Sequence, residues 1–390
     1  MTDFDAFVDR RTTDSVKWDR YRDTDIIPLW VADMDFPAPP AVRTALETRI
    51  RHDVYGYGNA PTALRATILA HLNDHHHWSV QPEWLVWLPG LVTGLNLACR
   101  SVGSPGDAVL TMTPVYPPFL GAPGLSGRQL VTVPLSEESG PRYIIDWAGL
   151  EATISPQTRL LLFCNPHNPV GRVYSRADLE RLGQFCEVHD LVICADEVHA
   201  GLILERDKTH ISIASVSPAL AQRTITLLAP SKTFNMPGLG FSFAVIPNST
   251  LRARFRAEMK GIVPDINVLA YYAAQAAYRE GEAWRQELIV YLRGNRDMVV
   301  QTVSKIPTLK VASAEATYLA WIDARRLPVE NPQRFFEQAG LGLSDGGDFG
   351  APGFVRLNFG CRRALLKEAL QRLAAATAGL MSSPLRSLKT

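Results

Sequence analysis

Between Leu85 and Pro247 the chain repeats one pattern: a short apolar run, a turn, and a stretch with helical spacing. The apolar runs are Leu85–Leu88, Ala108–Met112, Arg159–Cys164, Leu191–Ala195, Thr224–Leu228 and Phe241–Ile246. Several lack polar alternation. A strand tolerates that only when both of its faces are covered, so the pattern predicts an α/β fold with a parallel sheet between helix layers. Ser175 to His189 fits a crossover helix, with Ser175 as N-cap and a stripe through Leu179, Leu182 and Phe185. Ahead of the repeat lies an irregular arm (residues 1–38) carrying Trp18, Trp30 and Phe36. Two helix-like stretches follow, Pro39 to His52 and Pro61 to His75. Behind the repeat the character changes. One helical stretch from Leu269 to about Val303 leads to two strands of a smaller sheet, Thr317–Ile322 and Phe354–Phe359. Arg363 to Leu380 reads as a closing helix and the tail from Ser382 as loose. A chain of 390 residues, 46% hydrophobic, exceeds one ordinary core, so two domains are expected.

Composition narrows the function classes. Lys and Arg number 40 against 39 Asp and Glu, which gives no electrostatic case for nucleic acid or an anionic membrane. No apolar run approaches the roughly 18 residues of a membrane span. The first 20 residues lack the apolar core of a signal peptide. Five cysteines, mostly within apolar runs, read as free buried thiols in a reducing compartment, which points to a cytoplasmic protein. No metal site is expected. Consecutive helical side chains such as His75-His76-His77 splay apart, and the triplet reads as a solvated helix end. The absence of a Gly-x-Ser-x-Gly elbow weighs against serine hydrolase chemistry.

Chemistry concentrates where the predicted strands end. Lys232, in Ala229-Pro-Ser-Lys-Thr-Phe-Asn235, follows one strand and precedes a Gly/Pro turn. A lysine partly buried there can lose its proton and attack a carbonyl, whereas most lysines are merely solvated. Asp196 closes the preceding apolar strand, three residues before His199. Asn168 lies in the turn after the strand ending at Cys164. An amine, a carboxylate that needs a cation, and amide and imidazole groups suit pyridoxal 5′-phosphate (PLP). The lysine would form the Schiff base, Asp196 would face the pyridinium nitrogen, and Asn168 and His199 would face the ring oxygen. Simpler readings stand beside each: an Asx-Pro turn for Asn168, a helix cap for Asp196, a satisfied polar group for His199. Leu88-Pro-Gly-Leu-Val-Thr-Gly94 runs from a strand into a helix (Leu95 to Ser101), so the N–H groups around Leu91 and Val92 form a candidate phosphate cradle. Ser231 could add a hydroxyl, and Tyr116, in a proline-flanked loop, could lay its ring on the cofactor. Arg356 sits in an apolar strand and needs an anion, either a substrate carboxylate or an internal partner.

These residues belong to longer runs: Lys17-Trp-Asp19, Trp30-Val-Ala-Asp-Met-Asp-Phe36, Tyr55-Gly-Tyr57, Asn165-Pro-His-Asn-Pro169, Asp196-Glu-Val-His199, Ser231-Lys-Thr-Phe-Asn235, Ala316-Thr-Tyr-Leu-Ala-Trp-Ile-Asp323 and Phe354-Val-Arg-Leu-Asn358. With them the chain resembles the fold-type I PLP enzymes over nearly its whole length. Within that class it resembles the MalY/PatB cystathionine β-lyases (C–S lyases) of the class I/II aminotransferase superfamily. The resemblance implies a large domain with a mostly parallel seven-stranded sheet plus a smaller α+β domain. Residues 1–45 would form the arm and part of the small domain, 46–281 the PLP-binding domain, and 282–390 the rest of the small domain. It implies Lys232 as Schiff-base lysine, Arg356 as carboxylate clamp, Ala32 and Asp33 beside the substrate, and a homodimer in which Tyr57 reaches the partner's phosphate site. Ala229, Pro237 and Gly240 depart from the residues usual in relatives around the phosphate. The implied reaction is β-elimination from L-cystathionine or a related L-cysteine S-conjugate, giving thiol, pyruvate and ammonia. The alternative is transamination of an L-amino acid.

Overall fold

The computed structural model describes residues 2–138 and 142–382; the tail after Ser382 lies outside the described residues. Seven strands form the main sheet: β1 Leu85–Leu88, β2 Ala108–Thr113, β3 Gln129–Pro134, β4 Thr158–Cys164, β5 Val192–Asp196, β6 Thr224–Leu228 and β7 Ser242–Val245. Across the sheet they run β1-β7-β6-β5-β4-β2-β3. The central pairs are parallel, and β7 alone runs against both its neighbours. The expectation of a mostly parallel seven-stranded sheet is met.

The strand the apolar runs did not announce is β3. It is an edge strand with only Val133 buried, so covered-strand patterning is absent from it. The central strands β2 and β6 are buried at every position, which is why they read clearly.

Two helices precede the sheet, α1 Pro40–Ile50 and α2 Thr62–His76, and α3 Leu91–Ser101 follows β1. The crossover α4 Arg176–Val188 starts at the predicted cap. Ser175 and Asp178 form a reciprocal capping box there. The single helical stretch expected from Leu269 divides at Gly281 into α5 Val268–Glu280 and α6 Glu282–Val303. A Cβ at Gly281 would stand 2.3 Å from the Ala277 carbonyl oxygen and 2.6 Å from the Phe234 ring, so glycine lets the two helices meet tightly. The histidine triplet is corrected in part. His75 and His77 are exposed, but His76 turns inward and its ring packs edge-on against His210, 5.3 Å between centroids.

The smaller sheet is antiparallel, in the order β8-β9-β11-β10, from β8 Lys310–Val311, β9 Leu319–Asp323, β10 Ser344–Asp345 and β11 Phe354–Asn358. The closing helix α7, Arg363–Ser382, packs with α6. One apolar core joins the arm to this half: Phe4, Leu29, Met34 and Phe36 pack with Trp284, Tyr318 and Leu357. The arm thereby delivers residues 30–36 to the groove between the two sheets.

Candidate active site

The carboxyl ends of β1, β2, β4, β5 and β6 open on one cavity of about 170 Å³. This is where parallel α/β sheets place their ligands, because successive loops there carry polar groups that the covered strands cannot. Lys232, Asp196, Asn168, His199, Tyr116, Ser231, Leu91, Val92 and Ala32 all line it. A wider chamber of about 990 Å³ shares Lys232, Ala32 and Pro237 with it and is bordered by Asp33.

Lys232 leaves β6 on a tight loop in which Phe234 N–H bonds the Pro230 carbonyl and Met236 N–H bonds the Ser231 carbonyl. Its Nζ donates to the Ala32 carbonyl at 2.8 Å. Burial pulls the ammonium down from an ordinary 10.5 to about 8. The charges of Asp33 and Asp196 oppose the shift, and that of Arg356 adds to it. A substantial fraction of the side chain is therefore a free amine near neutrality.

Asp196 is the last residue of β5 and 5% exposed. One oxygen accepts the Val198 N–H at 3.0 Å. Burial raises the carboxyl from 3.8 to about 6, partly offset by that N–H and by Lys232 and reinforced by Glu197. Glu197 turns away and is held by His210 Nε2 (2.9 Å), Ser212 Oγ (3.0 Å) and the Ile213 N–H (3.2 Å), a structural role. His199 is buried, and desolvation with the charges of Lys232 and Arg356 lowers it to about 3. It is a neutral imidazole whose Nδ1 is buried without a hydrogen-bond partner among the described residues.

Arg356, in β11, donates Nη1 to Asn168 Oδ1 at 3.0 Å and Nη2 to the Trp30 carbonyl at 2.8 Å. It lies over the Phe349 ring, 4.6 Å from its centroid. Burial brings its pKa from 12.5 to about 10, opposed by Tyr116 and Tyr318. Among the described residues no carboxylate pairs with it, so the internal ion pair considered from sequence is not formed. Because Asn168 Oδ1 is occupied by Arg356, its amide nitrogen is left to donate into the cavity.

Residues 30–36 form a strap with little backbone pairing of its own. Its carbonyls are satisfied by side chains from remote elements. Arg356 takes Trp30, Asn358 takes Val31 and Asp33, Lys232 and Tyr318 take Ala32, and Asn235 takes Met34 and Phe36. Asn235 and Thr317 adopt positive φ (51° and 75°), a strained backbone for residues other than glycine, and both adjoin the site. The motif residues Lys17, Trp18 and Asp35 form a buried knot behind the strap: Lys17 Nζ–Asp35 at 2.9 Å and Trp18 Nε1–Asp35 at 2.9 Å. Sequence reading assigned no role to Tyr318, Asn358 or Asn235. Their signal was a polar group inside an apolar or glycine-flanked run, which carries no information about its partner.

At the far end of the cavity Gly90 begins α3 without a side-chain cap. The first-turn N–H groups beside Leu91 and Val92 are thus free for an anion. Gly240 has φ +64°, and a Cβ there would lie 3.3 Å from the Pro89 carbonyl oxygen, a backbone reason for glycine at this position. Tyr57 lies outside this cavity and is fully exposed at 103%. Its side chain takes no part in the core of its own chain.

Residues 24–373 match the aminotransferase class I and II family. The chain belongs to that family. It is 38% identical over 385 residues to cystathionine beta-lyase PatB of Bacillus subtilis (strain 168), covering 96% of this chain and 99% of that one. Within the family it falls among the PatB- and MalY-type cystathionine β-lyases. The crystal structure of OvoB superposes with TM-score 0.95 at 49% identity, covering 98% of this chain and 100% of that one. The PLP-bound C–S lyase from Staphylococcus hominis superposes with TM-score 0.90 at 31% identity, covering 97% and 98%.

The site fits pyridoxal 5′-phosphate on its own geometry. Asp196 is a buried carboxylate whose cost a ring-nitrogen cation would offset. Unpartnered His199 Nδ1 and the Asn168 amide are available to a ring oxygen, an uncapped helix start to a phosphate, and a low-pKa lysine to an aldehyde.

Proposed function

We propose that the chain is a PLP-dependent C–S lyase that β-eliminates L-cystathionine or related L-cysteine S-conjugates to thiol, pyruvate and ammonia. The observation that carries this is the convergence of Lys232, Asp196 and Asn168 on one cavity, with Arg356 bonded to Asn168 at its edge, in a chain most of whose length aligns with cystathionine β-lyases. PLP supplies an electron sink for the pair left when the α-proton departs. Lys232 Nζ would hold the cofactor through its aldehyde and, as a free amine, would take the proton from Cα. Asp196 keeps the ring nitrogen protonated by charge pairing in a dry site. Arg356 and the Ala32 end of the strap receive the α-carboxylate, which orients the Cα–H bond towards Lys232. Ser231 and the N–H groups at Leu91 and Val92 hold the phosphate. Tyr116 would hold the ring, and Asn168 and His199 its ring oxygen.

The same reading makes the active form a homodimer, with Tyr57 crossing to the partner's phosphate site. Its full exposure supports this. The five cysteines, all buried and free, support a reducing cytoplasm, and no helix of the described residues is long and apolar enough to cross a membrane.

The test is incubation of the PLP-loaded protein with L-cystathionine, scoring pyruvate and free thiol with and without an added 2-oxo acid. Pyruvate and thiol without the acceptor are expected. Turnover only with the 2-oxo acid would establish transamination instead.

A further inference from the structure

Trp321, in the run Thr317-Tyr-Leu-Ala-Trp-Ile-Asp323, does not line the cavity. In β9, however, it stands directly opposite Arg356 of β11, and Ser344 of β10 stands opposite Arg356 on the other side. Strand alternation puts Phe354, two residues before Arg356, on the same face of the small sheet. On that face Trp321 and Phe354 stack, with ring centroids 5.2 Å apart and planes 5° apart. Phe349 meets Trp321 edge to face at 5.5 Å. It turns its own face to the Arg356 guanidinium, 4.6 Å from the ring centroid. All three rings are buried.

Arg356 is a cation in need of such a neighbour. It is 4% exposed, and its Nε has no hydrogen-bond partner among the described residues. Its Nη atoms meet only neutral oxygens, on Asn168, Trp30 and Ser344. An aromatic face carries partial negative charge and attracts a cation most strongly where water is excluded. Oxygens at the edge of the guanidinium and a ring over its face together fix its plane. The ring is fixed in turn. It ends a short 3-10 turn, Gly346–Phe349, whose Gly347 N–H is capped by Asp345 at 2.9 Å, while Asn331 holds the other Asp345 oxygen at 3.0 Å. The Phe349 carbonyl accepts the Val115 N–H at 3.1 Å, which ties this turn to the loop carrying Tyr116.

We infer that Phe349, backed by Trp321, is a positioning residue for the substrate's α-carboxylate: it holds the Arg356 guanidinium flat and in place before the carboxylate arrives. Neither ring meets the reacting atoms. The inference rests on the reading of Arg356 as the carboxylate clamp of a C–S lyase and adds to it what orients the clamp.

The test uses the PLP-loaded enzyme and two readouts. One is KM and kcat for L-cystathionine. The other is the dissociation constants of L-alanine, which has the carboxylate but no β-leaving group, and of L-alaninamide, which lacks the carboxylate, both read from cofactor absorbance. Phe349→Leu is expected to raise KM and the L-alanine constant by on the order of tenfold, to lower kcat much less, and to leave the L-alaninamide constant unmoved. Phe349→Tyr, which keeps the ring face, should restore the wild-type values. In an Arg356→Ala background Phe349→Leu should cause no further loss of kcat/KM, because the ring acts through the guanidinium. Should Phe349→Leu not fold, Phe349→Met gives the same comparison with an unbranched apolar side chain. Unchanged KM and L-alanine constants overturn the inference. So do equal shifts for L-alanine and L-alaninamide, or a full further loss in the Arg356→Ala background. Equal wild-type constants for L-alanine and L-alaninamide overturn the clamp reading and the inference with it. No pyruvate from L-cystathionine, with the L-alanine constants shifted as expected, would overturn the lyase reading and leave the inference standing.

Discussion

At the residue scale the site is a set of ionisable groups whose environments push them from their ordinary behaviour. Lys232 titrates near 8 in the cofactor-free chain. Its neutral fraction at pH 7.5 is therefore roughly a quarter, against about a thousandth for an ordinary lysine. Covalent uptake of PLP needs the neutral amine. Its rate should rise about tenfold per pH unit below 8 and level off above it. Near-visible absorbance after mixing follows this, and a rate still climbing tenfold per unit above pH 9 would contradict the shift. Lys232→Ala should lose that absorbance and all elimination. Arg356→Ala should keep the cofactor absorbance but lose kcat/KM, by on the order of 2–5 kcal/mol for a buried charge-assisted pair. The Ala32 and Asn168 oxygens now bound by Lys232 and Arg356 would then lack those donors. Steady-state kinetics with L-cystathionine checks the size. Loss of the cofactor from Arg356→Ala would assign the arginine to PLP rather than to substrate.

At the element scale, the strand-end loops work because the elements around them are fixed. The break between α5 and α6 is one fixing point, since Gly281 brings the Ala277 carbonyl and the Phe234 ring within contact distance of its Cα. Phe234 belongs to the Lys232 loop and packs against Tyr278 and Trp284. Gly281→Ala should therefore cost about 1–3 kcal/mol by overpacking and also loosen the Lys232 loop. Urea denaturation measures the first effect and the PLP dissociation constant the second. An unchanged midpoint would show that the helix junction absorbs a methyl group. The strap 30–36 follows a different logic. Irregular backbone survives in the interior only where each carbonyl finds a donor, and here Asn235, Asn358, Arg356, Tyr318 and Lys232 supply them from three separate regions.

At the scale of the whole molecule, Tyr57 stands apart from the residues that line the cavity and is fully exposed. If Tyr57 completes the partner's phosphate site, two inactive variants should complement each other. After exchange of Lys232→Ala chains with Tyr57→Ala chains, each heterodimer holds one doubly damaged site and one intact site. Elimination activity is expected to reappear, approaching a quarter of wild type for random mixing, since about half the dimers are mixed and each has one good site of two. No recovery, with exchange verified by mass, would mean that each site is built within a single chain.

The sequence alone determined the architecture and the chemical inventory. The buried strands β2 and β6 show as short runs of apolar residues broken only by threonine, and the residues at and after the strand ends are chemically conspicuous: Lys232, Asp196, Asn168 and His199. Edge strand β3 escaped because only one of its six residues is buried. The break at Gly281 escaped because a glycine between two helical stretches looks the same whether the helix runs on or stops. Only the tertiary structure decided which remote groups meet. Arg356 reaches Asn168 across 188 residues, Lys232 reaches Ala32 across 200, and Arg10 reaches Asp33 across 23. These are pairings of polar groups brought together by the docking of two sheets and an arm. Local propensity acts over a turn of helix or a pair of strands, so it carries no record of them.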